Sequence, residues 1–134
     1  MPSTTEANKA VVLRLLEGVD ARRWEVYEEL LSSDYSYHGP VGALDRTATR
    51  ESAQRFVLAF PDLRHEIQEV GAWGDKVVAR YVNHGTHLGE FSGAAPTGKQ
   101  IRFGCIMIVR ISNGVIMESW QEADLAGLMA QIAG

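Results

Sequence analysis

The chain has 134 residues and a formal net charge of −4, with 46% hydrophobic and 22% charged residues. That is enough for one domain with a real core, residues 1–134, and too little for two. The acidic balance leaves no basic footprint for nucleic acid, and no run approaches the ~20 apolar residues that span a bilayer.

The pattern Ser3-Thr4-Thr5-Glu6 is a capping box, and Val12, Leu15, Leu16 and Val19 follow it at helical spacing. Gly18 weakens the end of that helix and Asp20 is placed to cap the next. Trp24, Tyr27, Leu30 and Leu31 mark a second, short helix. A third starts near Thr49, buries Ala53, Phe56, Val57 and Phe60, and stops before Pro61, because proline disfavours helix at the preceding residue. The character then changes. Residues 64–73 and 76–84 read as strands around a Gly74-Asp75 turn. Residues 86–91 read as a third short strand, and 92–98 as a loop punctuated by Gly93, Pro96 and Gly98. Residues 101–111 form a long β-branched run. Ser112-Asn113-Gly114 is a hairpin turn, since Asn-Gly tolerates positive φ. Residues 115–122 return as the last strand, and 125–132 form a terminal helix. Helices first and a meander of strands afterwards give an α+β fold.

Few residues carry chemistry. The single cysteine, Cys105, lies in an apolar strand and reads as a core thiol. One cysteine excludes an intramolecular disulfide. With no basic stretch and apolar run at the N-terminus, a cytoplasmic setting is expected. No His-x-x-x-His or Cys-x-x-Cys spacing suggests a metal, and no Gly-x-Gly-x-x-Gly or Walker loop suggests a nucleotide cofactor. Asp124 stands where the last strand gives way to the terminal helix, where aspartate is a favoured N-cap. His65 alternates with Ile67 on a strand and reads as exposed. Arg80 and Arg102 read as surface partners of Glu66, Glu69 or Glu118. Phe56, Phe60, Tyr81, Phe91, Phe103 and Trp120 read either as plain core or as the lining of a chamber for a flat, conjugated ligand. On the long strand Phe103, Cys105, Met107 and Val109 share one face, and Ile106 and Ile108 the other. Apolar residues on both faces predict that both are buried, one of them in a homodimer.

Several segments carry a resemblance: the Asn83-His84-Gly85-Thr86-His87 stretch, the Pro96-Thr97-Gly98 turn, the Trp-x-x-x-Asp of residues 120–124, the helical opening, segment 35–40, and Phe60-Pro61-Asp62-Leu63. Together they resemble the SnoaL-like polyketide cyclases of the nuclear-transport-factor-2-like superfamily. The resemblance implies a cone-shaped α+β barrel, with N-terminal helices packed on a curved, mostly antiparallel sheet. It implies a cofactor-free enzyme of secondary metabolism that closes a ring in an aromatic polyketide by an intramolecular aldol-type step. Asp124 would be the general acid/base, with His38 and His87 holding carbonyl oxygens and Tyr37 lining the pocket beside the aromatic residues. It also leaves open a hydroxylase, an epoxide-opening enzyme in which Glu122 and Arg102 would join Asp124, and a non-catalytic binding domain. Where many members have His before the tryptophan of the last strand, this chain has Ser119.

Overall fold

Val11, Val12, Leu15, Leu16 and Val19 form the buried stripe of the first helix, α1 (Thr4–Asp20). A computed structural model of the chain describes residues 4–40 and 42–134, so the capping box at residues 3–6 begins outside the described residues. Gly18 lies inside α1. A Cβ there would sit 2.4 Å from Val26 Cγ1, so the glycine lets α2 (Val26–Leu30) approach. Asp20 caps nothing: it ends α1 and binds His65.

Leu31 opens a strand that the sequence reading missed, β1 (Leu31–Gly39), followed by β2 (Gly42–Leu44). Serines, an aspartate and a histidine interrupt the apolar alternation there, and Tyr35 and Tyr37 are its only strong strand signals. Helix α3 (Arg46–Ala59) starts three residues earlier than Thr49, because Asp45 caps it by accepting a hydrogen bond from the Ala48 N–H at 2.8 Å. Then come β3 (Arg64–Trp73), β4 (Lys76–Thr86), β5 (Gln100–Ser112), β6 (Val115–Ala123) and α4 (Leu125–Ala133). The expected short strand at 86–91 is absent. β4 runs on to Thr86, and beyond it Phe91 makes a single bridge to Ala94. The β5–β6 turn is as expected, with φ of 52° at Asn113 and 77° at Gly114.

The six strands form one curved open sheet in the order β2-β1-β6-β5-β4-β3. β1 and β6 run parallel and every other pair is antiparallel. This is the expected α+β cone. Register sets its inner face. Tyr81 pairs with Cys105, which pairs with Ala123, and Asn83 pairs with Phe103. Along β5 burial alternates strictly, with Ile101, Phe103, Cys105, Met107, Val109 and Ile111 buried. The two faces of this strand divide as expected, but the outer one is open in the single chain: Ile106 is 47% exposed. Among the described residues, no helix is long and apolar enough to cross a membrane.

Candidate active site

The inner face of the sheet and helices α1, α2 and α3 border a half-open cavity of about 630 Å³. Its walls are mostly apolar: Leu15, Leu16 and Val19 from α1, Phe56 from α3, and Phe91, Phe103 and Met107 opposite. Phe56 anchors an aromatic corner, with ring centroids 5.1 Å from Phe91 and 5.7 Å from Phe103.

The exposed Arg55, Glu90 and Ser92 also border the cavity, and further in the polar groups are ordered. The Tyr37 hydroxyl donates to Gln121 Oε1 at 2.6 Å, and Gln121 Nε2 donates to the Tyr81 hydroxyl at 2.7 Å. With that amide orientation Tyr81 accepts from Gln121, and its own hydrogen can be given either to the neighbouring Cys105 sulfur or into the cavity. Burial raises the phenol of Tyr81 well above its ordinary value and pushes those of Tyr35 and Tyr37 up to about 12, since the charged form loses its water. These hydroxyls are therefore neutral donors across the physiological range. Burial likewise pushes the Cys105 thiol up to about 11, in keeping with a core thiol, and Asn83 Nδ2 donates to its sulfur at 3.1 Å.

The sequence reading missed the most distinctive polar group on the wall. His65 lines the cavity, and its side chain is only 10% exposed. Its Nδ1 lies 2.6 Å from Asp20 Oδ1, and its backbone N–H also donates to Asp20. Its ring meets Tyr81 edge-on at 5.2 Å. The expectation of an exposed His65 failed because of a bulge. The β3–β4 register slips between Ile67 and Glu69, so the residues that pair with the inward face of β4 switch from 65 and 67 to 70 and 72. Alternation along β3 alone cannot show this. The structure frees Asp20 from the capping role expected of it, because α2 begins six residues later.

The other expected site residues divide. Tyr37, Phe56, Tyr81, Phe91 and Phe103 line the cavity. Phe60 does not: it is fully buried behind the wall, against Phe56, Phe91 and His87. Trp120 lies on the opposite face of β6 from the buried Ser119 and stacks on His38 at 5.8 Å. His38 Nε2 binds Glu118 at 2.8 Å, holding that carboxyl below its usual range. Neither His38 nor Trp120 reaches the cavity, because alternation turns both outward.

His87 is fully buried but is not on the wall. Its Nδ1 accepts from the Thr97 backbone at 3.3 Å, and its carbonyl accepts from Gly98 N–H at 2.8 Å, which fastens the 87–99 loop. Asp124 is exposed. Its Oδ1 accepts from Gly127 N–H at 2.9 Å and caps α4, while its neighbours Ala123 and Leu125 supply the wall. Glu122 and Arg102 are exposed and absent from the wall. Arg80 pairs with Glu69 at 2.5 Å on the surface, as expected. Ser119 is buried, and its side chain hydrogen-bonds Tyr35. Among the described residues, no cluster of three or more His, Cys, Asp or Glu side chains is placed to hold a metal ion.

This architecture is similar to that of several solved structures. AclR from Streptomyces galilaeus, a candidate hydroxylase, superposes with a TM-score of 0.90 at 22% identity, over 97% of this chain and 87% of AclR. Wild-type IdmH from Streptomyces antibioticus, a candidate polyketide cyclase, does so with a TM-score of 0.87 at 27% identity, over 95% and 99% of the two chains. A candidate polyketide cyclase from Acidithiobacillus ferrooxidans gives 0.86 at 25% identity, over 98% of each. No curated protein matches the sequence. The family model for SnoaL-like polyketide cyclases matches residues 9–132, and with nearly the whole chain accounted for, the protein belongs to the SnoaL-like polyketide cyclase family.

Proposed function

We propose that this protein is a cofactor-free enzyme that closes a ring in an aromatic, polyketide-like intermediate by an intramolecular aldol-type step. The observation that supports this is the cavity. Its volume of about 630 Å³ falls in the range of pockets for drug-sized ligands, about 300–1,000 Å³. Its walls are apolar and aromatic, and a short row of neutral phenol and amide groups crosses one side. Such a chamber suits a flat, conjugated molecule with carbonyl oxygens along one edge.

The chemistry makes modest demands. A carbon flanked by carbonyls is already acidic, because its enolate is delocalised. Folding the substrate so that two carbons meet supplies much of the rate, general acid–base help adds roughly 10²–10⁴-fold, and hydroxyl donors steady the developing oxyanion. The acid/base role expected of Asp124 draws no support from this geometry, since Asp124 is exposed, is not on the cavity wall, and uses Oδ1 to cap α4. The oxyanion roles of His38 and His87 find none either. We also propose a cytoplasmic homodimer that pairs through the outer face of β5 and β6, where Ile106 is 47% and Trp120 36% exposed.

The test is incubation with aromatic polyketides bearing a β-dicarbonyl side chain, after dialysis and chelation, without oxygen. Ring closure is expected as a new chromophore at unchanged mass. A product heavier by one oxygen, formed only with a reductant and oxygen, would replace this reading with the hydroxylase one. Tight ligand binding without turnover would leave a binding domain.

A further inference from the structure

We infer that His65 and Asp20 form the proton-transfer pair of this cavity, with Tyr81 as the donor that receives the charge created. The inference rests on the ring-closure reading above and names the groups that would carry it out.

A carboxylate can only accept a hydrogen bond, so the 2.6 Å contact with Asp20 Oδ1 puts the hydrogen on His65 Nδ1. The lone pair of the neutral ring is then on Nε2, which has no hydrogen-bond partner among the described residues. His65 is a wall residue, so Nε2 is the nitrogen left for a ligand. Asp20 approaches from the end of α1, outside the wall, and the His65 backbone N–H donates to it as well, so the carboxylate is held in place and the imidazole cannot turn without losing its contact to Oδ1. Arg22 fastens the same corner by donating to the carbonyls of Pro61 at 2.7 Å and Leu63 at 2.9 Å. Tyr81 stands edge-on to the ring at 5.2 Å, its hydroxyl oriented by Gln121. A base with a free lone pair, a carboxylate that fixes its tautomer and a phenol beside it are the parts of an enolising site.

The steps balance without a co-reactant. Nε2 takes a proton from the carbon next to a carbonyl. The C–H pair moves into the C–C bond and the carbonyl pair onto oxygen, giving an enolate that accepts the Tyr81 hydrogen bond. Asp20 faces the resulting imidazolium. The enolate carbon then attacks the second carbonyl, a C–C bond forms, and the new alkoxide takes the proton back from Nε2.

The rival explanation is a structural clamp between α1 and β3, and the experiment separates the two. The probe is 1-tetralone, a planar aryl ketone, whose α-hydrogens exchange in D2O and are followed by NMR. Wild-type protein should accelerate exchange over buffer. His65→Ala and His65→Gln should each lose that acceleration by about 100-fold or more, while His84→Gln keeps it; His84 makes a similar pair with Glu66 at 2.8 Å but does not line the cavity. Millimolar imidazole should restore part of the rate in His65→Ala. Asp20→Asn should lower kcat with little change in KM, and Asp20→Glu should regain part of it. No exchange by wild-type protein, wild-type exchange in His65→Gln, or loss in folded His65→Ala without imidazole rescue would each overturn the inference. Exchange that needs His65 in a protein that closes no ring would keep the pair and remove the cyclase reading. Ring closure at full rate in His65→Gln would do the reverse.

Discussion

Two aspartates stand at helix ends near this cavity, and their environments are opposite. Asp124 precedes α4, at an N-terminus, where backbone N–H groups and the helix dipole favour negative charge. Its Oδ1 takes the Gly127 N–H, and the side chain stays at the surface. Asp20 closes α1, at a C-terminus, where the dipole disfavours a carboxylate and the local carbonyls offer no donor. It finds its donors across the fold, in the backbone and ring of His65. A carboxylate satisfied by its own helix is available for little else. One placed at the wrong end must recruit a tertiary partner, and here the partner is a cavity histidine.

The two ends also differ in what they seal. With His65 on the cavity wall stand Tyr27, Tyr35, Tyr37 and Tyr81, all buried, whereas the α4 cap lies at the surface. Burial first, and neighbouring phenols second, raise Tyr27. Burial raises Tyr35 and Tyr37 to about 12, and Tyr81 well above the ordinary phenol value of 10.0. The folded state thus holds these protons more tightly than the unfolded chain. The stability this contributes is complete below pH 10 and is lost as pH climbs through the folded values. With each tenfold gain in proton affinity worth ~1.4 kcal/mol, stability should drop by several kcal/mol between about pH 10 and pH 12. Denaturant melts across that range check this, and a flat profile would show that the tyrosine side of the cavity is wet.

Next in size is the contrast in turnover. Asp20→Asn should cost about 10- to 100-fold in kcat by unsettling the imidazole, whereas Asp124→Asn, which can still cap α4, should change kcat less than about twofold. Assaying both variants on one substrate inverts or upholds the comparison directly. If Asp124→Asn is the inactive one, the cap must open during turnover and the assignment moves to α4. Smaller again is Tyr81→Phe, which deletes the hydroxyl and keeps the ring against His65. About tenfold lower kcat at similar KM is expected if the phenol carries developing charge. An equal loss in kcat/KM that arises from KM alone would mark it as a binding contact.

The sequence carried the order of elements well, because long amphipathic or β-branched runs such as residues 101–111 settle into one state by burial alone. It carried β1 poorly. That strand is held by its parallel partner β6, with Tyr37 opposite Ser119 and His38 opposite Trp120, and such a non-local pairing leaves little local pattern. The same limit governed the site. Phe56, Phe91 and Phe103 were legible as an aromatic set, since large apolar groups on one face must meet. Which histidine faced inward was not, because it depended on the slip near Gln68 in β3 and on the outward turn of His38 and Trp120. Asp124 was read from a motif that marks the strand-to-helix junction, and a residue serving that junction need not reach the substrate.

The smallest predicted effect tests the other half of the comparison. If Asp124 is chiefly a cap, its removal should appear as lost stability. Asp124→Ala leaves the Gly127 N–H without its acceptor, and losing an N-cap of this kind costs ~1 kcal/mol, or about 3 °C in Tm for a chain of this size. Asp124→Asn should cost a few tenths of a kcal/mol, and Asp124→Ser about the same, because each presents an oxygen to the same N–H. Gly127→Ala should resemble Asp124→Ala, since its Cβ would fall 2.2 Å from Asp124 Oδ2 and push the carboxylate off its donor. The ranking is the readout: Ala and the Gly127 variant low, Asn and Ser near wild type, with kcat at 25 °C following none of them. A kcat that fell in step with the loss of the carboxylate, whatever the Tm, would mean that the charge at residue 124 acts on the substrate and that the two aspartates share the work.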